Sequence, residues 1–143
     1  MKTAKLDGLL CFAVYSAGHA FNRIYKPMLD DLGLTYPQYL VMVVLWTNDG
    51  RTVGELGQQL FLESNTLTPM LKKLESLGYL VRKRSSEDER QVRIMLTASG
   101  CKLAQAARGI PKCLLKASGL SAQELVRLQT DIARVRDNLL ASV

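Results

Sequence analysis

The sequence predicts a mainly α-helical fold that carries one small β-hairpin. Three observations point to it. Apolar residues recur at three- and four-residue spacing through most of the chain. Ser or Thr stands three residues ahead of Gln or Glu at Thr35/Gln38, Thr52/Glu55 and Ser121/Glu124, the capping-box spacing that marks a helix start. The period changes to alternation only once, in "YLVRKR" and "QVRIML" on either side of the polar "SSEDER". At 143 residues, 48% of them hydrophobic, the chain is long enough for one core and short for two, so residues 1–143 read as a single domain.

Taken in order, the first apolar run extends from Leu6 to Leu32, with Gly33 as terminator and a bend expected near Pro27. Thr35 then opens "YPQYLVMVVLW", apolar nearly all round and therefore buried. Thr52 opens "VGELGQQLFL", a short helix weakened by two glycines. The next run, "SNTLTPMLKKLESLG", puts Leu67, Met70, Leu71, Leu74 and Leu77 on one face, turns Lys72 and Lys73 away, and ends at Gly78. In the hairpin, Val92, Ile94 and Leu96 point one way and Arg93 and Met95 the other, so one face covers the core. Thr97 caps a helical stretch that Gly109 and Pro111 interrupt, and Ser121 starts a last helix reaching about Leu140.

The net charge of +6 is unevenly placed: residues 1–63 carry five basic and six acidic side chains, residues 64–143 fourteen and seven. A one-sided basic surface suits a polyanion, nucleic acid ahead of an anionic membrane. Membrane-surface binding would want one continuous cationic amphipathic helix, whereas these charges are divided between a helix and a hairpin. No apolar run is long enough to span a bilayer and the N-terminus lacks a signal-peptide pattern, so a cytoplasmic location is expected. Cys11, Cys101 and Cys113 are too far apart for a Cys-x-x-Cys site and odd in number, and His19 is the one histidine. No metal or cofactor is expected. A cytosolic cysteine that does form a disulfide is more often sensing or catalytic than structural.

Short helix, turn, amphipathic helix and basic hairpin, over residues 35–96, is the order of a winged helix-turn-helix. Ser64, Asn65, Thr66 and Thr68 offer hydroxyls and an amide at the leading end of the second helix, with its N-terminal amides beneath, able to meet phosphates or base edges of double-stranded DNA. Lys72 and Lys73 follow one or two turns along. The hairpin adds Arg82, Lys83 and Arg84, then Arg90 near its tip, where arginine suits a narrow minor groove, and Arg93 on the return strand. Asp88 would repel phosphate, so within this surface it is expected to fix the turn or pair with Arg90. The helices of residues 1–34 and 97–143 have more apolar surface than one small winged domain covers, which calls for a homodimer and a near-palindromic operator. A thiol peroxidase would want alternating strands and helices, which are missing, so the chain is not expected to be an enzyme.

These features resemble the MarR-type transcriptional regulators and, within them, the organic hydroperoxide resistance regulators. The wing "RKRSSEDERQVRIMLTASG" is similar to the family's Asp-x-Arg signature followed by Leu-Thr-x-x-Gly. The subgroup is matched by "LCFAVY", "YKPMLDDLGLTYPQYLVMVVLW", "VGELGQQLFL" and "TLTPMLKKLE", over residues 9 to about 100. Where the subgroup has Asp-Ser-Gly, this chain has Glu63-Ser64-Asn65, so base contacts are not carried over one by one. The resemblance implies a dimeric repressor of a peroxide-detoxification gene, with Cys11 as the thiol oxidised by organic hydroperoxides. It also implies that Tyr25 and Tyr36 hydrogen-bond the sulfur, with Tyr15 nearby. Part of the subgroup resolves the oxidised thiol with a small cellular thiol. Another part uses a C-terminal cysteine of the opposite subunit, which Cys113 approximately matches. The alternative is a repressor of the same fold that answers a non-covalent lipophilic or phenolic ligand, with Cys11 incidental.

The chemistry agrees with that implication. The thiolate is the nucleophile toward a peroxide, and tyrosine hydroxyls and a helix N-terminus favour the anion over the thiol. Along a straight helix Tyr25 lies about 21 Å from Cys11, so contact requires the other subunit or the far side of a bend, and the other subunit is the expectation. Leu9, Phe12, Phe21, Met42 and Trp46 are candidates for an apolar wall that would admit a bulky peroxide. Cys101 reads as a packed helix residue, and His19 as a helix histidine rather than a catalytic base.

Overall fold

A computed structural model describes residues 3–143. After a 3₁₀ turn at Leu6–Gly8 come α1 (Leu10–Leu32), α2 (Tyr36–Thr47), β1 (Arg51–Thr52), α3 (Val53–Leu60), α4 (Ser64–Ser76), β2 (Leu80–Arg84), β3 (Val92–Leu96), α5 (Ala98–Ala106), α6 (Ile110–Ser118) and α7 (Ala122–Ala141). The described residues form two compact units, one ending at Arg108 and the other comprising Gly109–Val143.

The expected helix starts are present. Thr35, Thr52 and Ser121 each accept an amide three residues on, and Gln38, Glu55 and Glu124 return a side-chain oxygen to the cap amide. Each such cap is worth about 1 kcal/mol. The first helix departs from expectation at its start: Leu6–Gly8 is a separate 3₁₀ turn, and α1 begins at Leu10 after an extended Leu9. Cys11 is therefore the second residue of the helix, not a mid-helix residue. Pro27 lies within α1, which runs on to Leu32.

The core of the first unit is built around α2. Val41, Met42 and Leu45 pack with Leu29 of α1, Leu56 of α3, Leu67, Leu71 and Leu74 of α4, and Leu80 and Ile94 of the sheet, all essentially without solvent exposure. Burying each such side chain contributes about 1.5–3 kcal/mol. The turn from α3 into α4 passes through Phe61 in the left-handed region (φ 57°). The glycine that the sequence presents as a weakness has a use here: a Cβ on Gly57 would stand 2.7 Å from the Leu62 carbonyl, so only glycine lets the turn fold back on α3.

The hairpin is the expected one, with Leu80 opposite Leu96, Arg82 opposite Ile94 and Arg84 opposite Val92. The sheet has a third strand the sequence does not announce. Arg51 and Thr52 pair antiparallel with Ile94 and Arg93, giving the order β1-β3-β2. Two residues are too few to show a period. Of the alternating set on β3, Ile94 is fully buried while its four neighbours are half-buried.

In the second unit, α7 leaves Val126, Leu128, Ile132, Val135, Leu139 and Leu140 exposed. No described helix is long and apolar enough to cross a membrane.

Candidate nucleic-acid interface and thiol site

The leading turn of α4 is open. Glu63, its N-cap, makes no side-chain capping bond, and Ser64, Asn65 and Thr66 are exposed, with Thr68 half-buried. The first amides of the helix therefore keep their hydrogen-bonding capacity for an anion. Lys72 and Lys73 are exposed on the face opposite the buried Leu67, Leu71 and Leu74.

The wing residues divide by what holds them. Arg82 is clamped to Glu75 of α4, donating through Nε (3.2 Å) and Nη2 (3.1 Å) to one carboxylate oxygen and through its backbone amide (3.2 Å) to the other. These bonds hold the Glu75 carboxyl below its usual pKa. Arg82 thus joins the recognition helix to the wing. Lys83 and Arg84 are exposed and in no ion pair among the described residues. Asp88 accepts the Arg90 amide at 3.0 Å and its carbonyl accepts the Gln91 amide, so it fixes the turn, leaving Arg90 exposed at the tip. Arg93 differs from expectation: it donates to the Gly50 carbonyl at 2.8 Å and is half-buried, tying β3 to the loop before β1.

The base of the wing is locked to α5. Thr97 donates its hydroxyl to the Gly78 carbonyl (2.6 Å) and its amide to the Tyr79 carbonyl (3.1 Å), and caps Gly100. A Cβ on Gly100 would collide with the Tyr79 carbonyl, which explains the glycine of the Leu-Thr-x-x-Gly run.

Cys11 lies exposed in the first turn of α1, beside the exposed Leu10, Val14 and Tyr15. Helix N-termini favour negative charge. Tyr15 meets His19 edge-on, with ring centroids 4.5 Å apart. Tyr25 and Tyr36 come together in the same chain, their ring centroids 4.8 Å apart. Tyr39, which the sequence reading passed over, packs on both at 6.0 and 6.4 Å. It sits three residues after Tyr36, the helical spacing that could have revealed it. Burial, reinforced by the neighbouring Tyr36 and Tyr39, pushes the Tyr25 hydroxyl up to about 12. Burial raises Tyr36 and Tyr39 as well. All three hydroxyls consequently stay protonated, and able to donate, at any physiological pH.

The proposed apolar wall does not hold as a set. Met42 is wholly buried in the core, and Trp46 donates its indole N–H to the Gly100 carbonyl at 2.8 Å. An open depression of about 400 Å³ is lined instead by Tyr15, Gly18, His19, Phe21, Asn22 and Tyr36. Cys101, expected to be packed, is exposed on α5, and Cys113 is exposed on α6.

A short helix, a turn, an open-ended recognition helix and a basic hairpin define a winged helix-turn-helix DNA-binding protein. Comparison with known proteins narrows this. Residues 23–107 match the family described as transcriptional regulator SarA/Rot. The organic hydroperoxide resistance transcriptional regulator of Bacillus subtilis is 44% identical over 94% of this chain and 92% of its own length. The HTH-type transcriptional regulator TtmR of Methylorubrum extorquens is 47% identical over 95% of this chain and 70% of its own. AbfR of Staphylococcus epidermidis, solved reduced and bound to DNA, superposes with a TM-score of 0.78 at 35% identity over 92% of this chain and 91% of its own. In its disulfide form the TM-score is 0.64, at 34% identity over 92% and 88% of the two chains. The chain belongs to the MarR-type transcriptional regulators, in the branch that contains the organic hydroperoxide resistance regulators. These are DNA-binding regulators and not enzymes.

Proposed function

We propose that the chain is a homodimeric, cytoplasmic repressor that holds a near-palindromic operator and releases it when an organic hydroperoxide oxidises Cys11. The DNA-binding part is residues 35–96, and the helices of 1–34 and 97–143 form the dimer. The observation that carries the thiol site is the separation within one chain. Cys11 and Tyr25 lie on the same helix with about 21 Å of rise between them, and Pro27 comes after Tyr25, so no bend there brings them together. A tyrosine pair with protonated hydroxyls and an exposed thiol in an apolar setting fit each other across a dimer, Cys11 of one protomer facing Tyr25 and Tyr36 of the partner subunit.

In the reaction, the Cys11 thiolate attacks the terminal peroxide oxygen. A sulfur–oxygen bond forms, the O–O bond breaks, and the alkoxide takes a proton and leaves as an alcohol, giving sulfenic acid. A second thiol, from Cys113 of the partner subunit or a small cellular thiol, then displaces water and forms a disulfide. The test is a band-shift with a palindromic operator, titrated with cumene hydroperoxide and with hydrogen peroxide, on wild type, Cys11→Ser and Cys113→Ser. Release at much lower cumene hydroperoxide concentration, lost in Cys11→Ser, is expected. A Cys11→Ser protein that still leaves DNA on peroxide addition contradicts it. That outcome favours the second reading, a non-covalent lipophilic or phenolic ligand, for which the depression between Tyr15 and Tyr36 is the natural seat.

A further inference from the structure

Two aromatic residues, Tyr39 and Trp46, lie outside both the DNA-facing surface and the thiol. We propose that Tyr39 and Trp46 are positioning residues that couple the Tyr25–Tyr36 pair to the base of the wing, a step resting on the reading of Cys11 given above. Tyr39 is 8% exposed and packs on Tyr25 and Tyr36 on one side and on Trp46, at 6.2 Å, on the other. Trp46 continues the chain by its 2.8 Å hydrogen bond to the Gly100 carbonyl, 54 residues away.

Gly100 is a point without slack. Its α-carbon is pressed against the Tyr79 carbonyl, and its amide is held by Thr97, which grips Gly78 and Tyr79 in turn. Gly78 and Tyr79 are the link between the recognition helix and the first wing strand. The Tyr79 hydroxyl closes the circuit, donating to the Leu32 carbonyl at the end of α1 at 3.3 Å. Packed side chains of this kind change arrangement in discrete steps, not by continuous deformation. A tyrosine displaced by the oxidised sulfur must therefore shift Tyr39 and Trp46, and the indole then pulls on Gly100, which is packed against the link between α4 and the wing. The same circuit gives the half-buried indole of Trp46 a use for its N–H donor.

The chain has one tryptophan, so its emission reports this position alone. Stoichiometric cumene hydroperoxide is expected to change Trp46 emission in wild type and leave it unchanged in Cys11→Ser. Trp46→Phe keeps a ring and deletes the donor. It should be oxidised at Cys11 within about twofold of the wild-type rate, while the ratio of reduced to oxidised operator affinity falls about tenfold, within the usual span of site–site coupling. Tyr39→Leu should lower that ratio likewise, and Tyr39→Phe, which keeps the ring contacts, should restore it. Thermal midpoints of the reduced proteins separate this effect from misfolding. Wild-type emission that does not change on full oxidation of Cys11, or full release by both Trp46→Phe and Tyr39→Leu where Cys11→Ser does not release, overturns the coupling alone. Release that persists in Cys11→Ser overturns the reading of Cys11, and the coupling with it.

Discussion

The recognition helix α4 and the last helix α7 have the same kind of sequence, an apolar stripe at three- and four-residue spacing, and opposite fates. Leu67, Leu71 and Leu74 of α4 are fully buried, whereas Leu128, Ile132, Val135 and Leu139 of α7 are 37–64% exposed. The first unit has closed its own core; the second has not. An apolar stripe thus defines a face that must be covered without saying whether the cover comes from the same chain. The leading part of α1 shows the same contrast within one helix: Leu10, Val14, Phe21 and Ile24 are exposed whereas Leu29 and Leu32 are buried, and Cys11 lies on the exposed part.

The largest effect expected from this contrast is at α7. Ile132→Asp should halve the mass seen by light scattering and weaken operator binding about a hundredfold, because two half-site contacts no longer act together. Next, Leu71→Ala should cost about 2–5 kcal/mol in urea unfolding. That loss should persist in an Ile132→Asp background, whereas Leu139→Ala should matter only while the dimer is intact. A smaller effect separates the wing residues: Lys83→Ala should lower the slope of log affinity against log salt by about one. Arg82→Ala should instead loosen the wing by removing the two guanidinium bonds to Glu75. The smallest concerns the tyrosines. Tyr25 ionises later in the folded chain than in the unfolded one. Its contribution to stability is therefore complete below its unfolded pKa of about 10 and is lost as pH rises toward 12. Urea midpoints measured across that window should fall less in Tyr25→Phe.

Much of the fold was legible because its signals are local. The capping boxes at Thr35, Thr52 and Ser121 report amides three residues away, and the wing shows a change of period over five-residue strands. What was not legible is long-range. The pairing of Arg51 and Thr52 with β3, the Arg93 bond to Gly50 and the Trp46 bond to Gly100 join positions 41 to 54 residues apart. The first turn of α1 was missed because Leu6, Leu9 and Leu10 fit a helical period that the extended Leu9 interrupts. At the proposed thiol site, Cys11, Tyr25 and Tyr36 are named by the resemblance; the structure brings Tyr25 and Tyr36 together, with Tyr39 hidden in a helix apolar on every side.

The account turns on a site shared between protomers, and a mixed dimer tests that most directly. Chains carrying Cys11→Ser are paired with chains carrying Tyr25→Phe and Tyr36→Phe, and the rate of thiol loss to cumene hydroperoxide is measured. Each homodimer should react slowly or not at all. If the sulfur of one protomer is served by the tyrosines of the other, the mixed dimer holds one intact site and should lose its single Cys11 thiol at the wild-type rate. A mixed dimer as slow as the Tyr25→Phe, Tyr36→Phe homodimer would contradict the account.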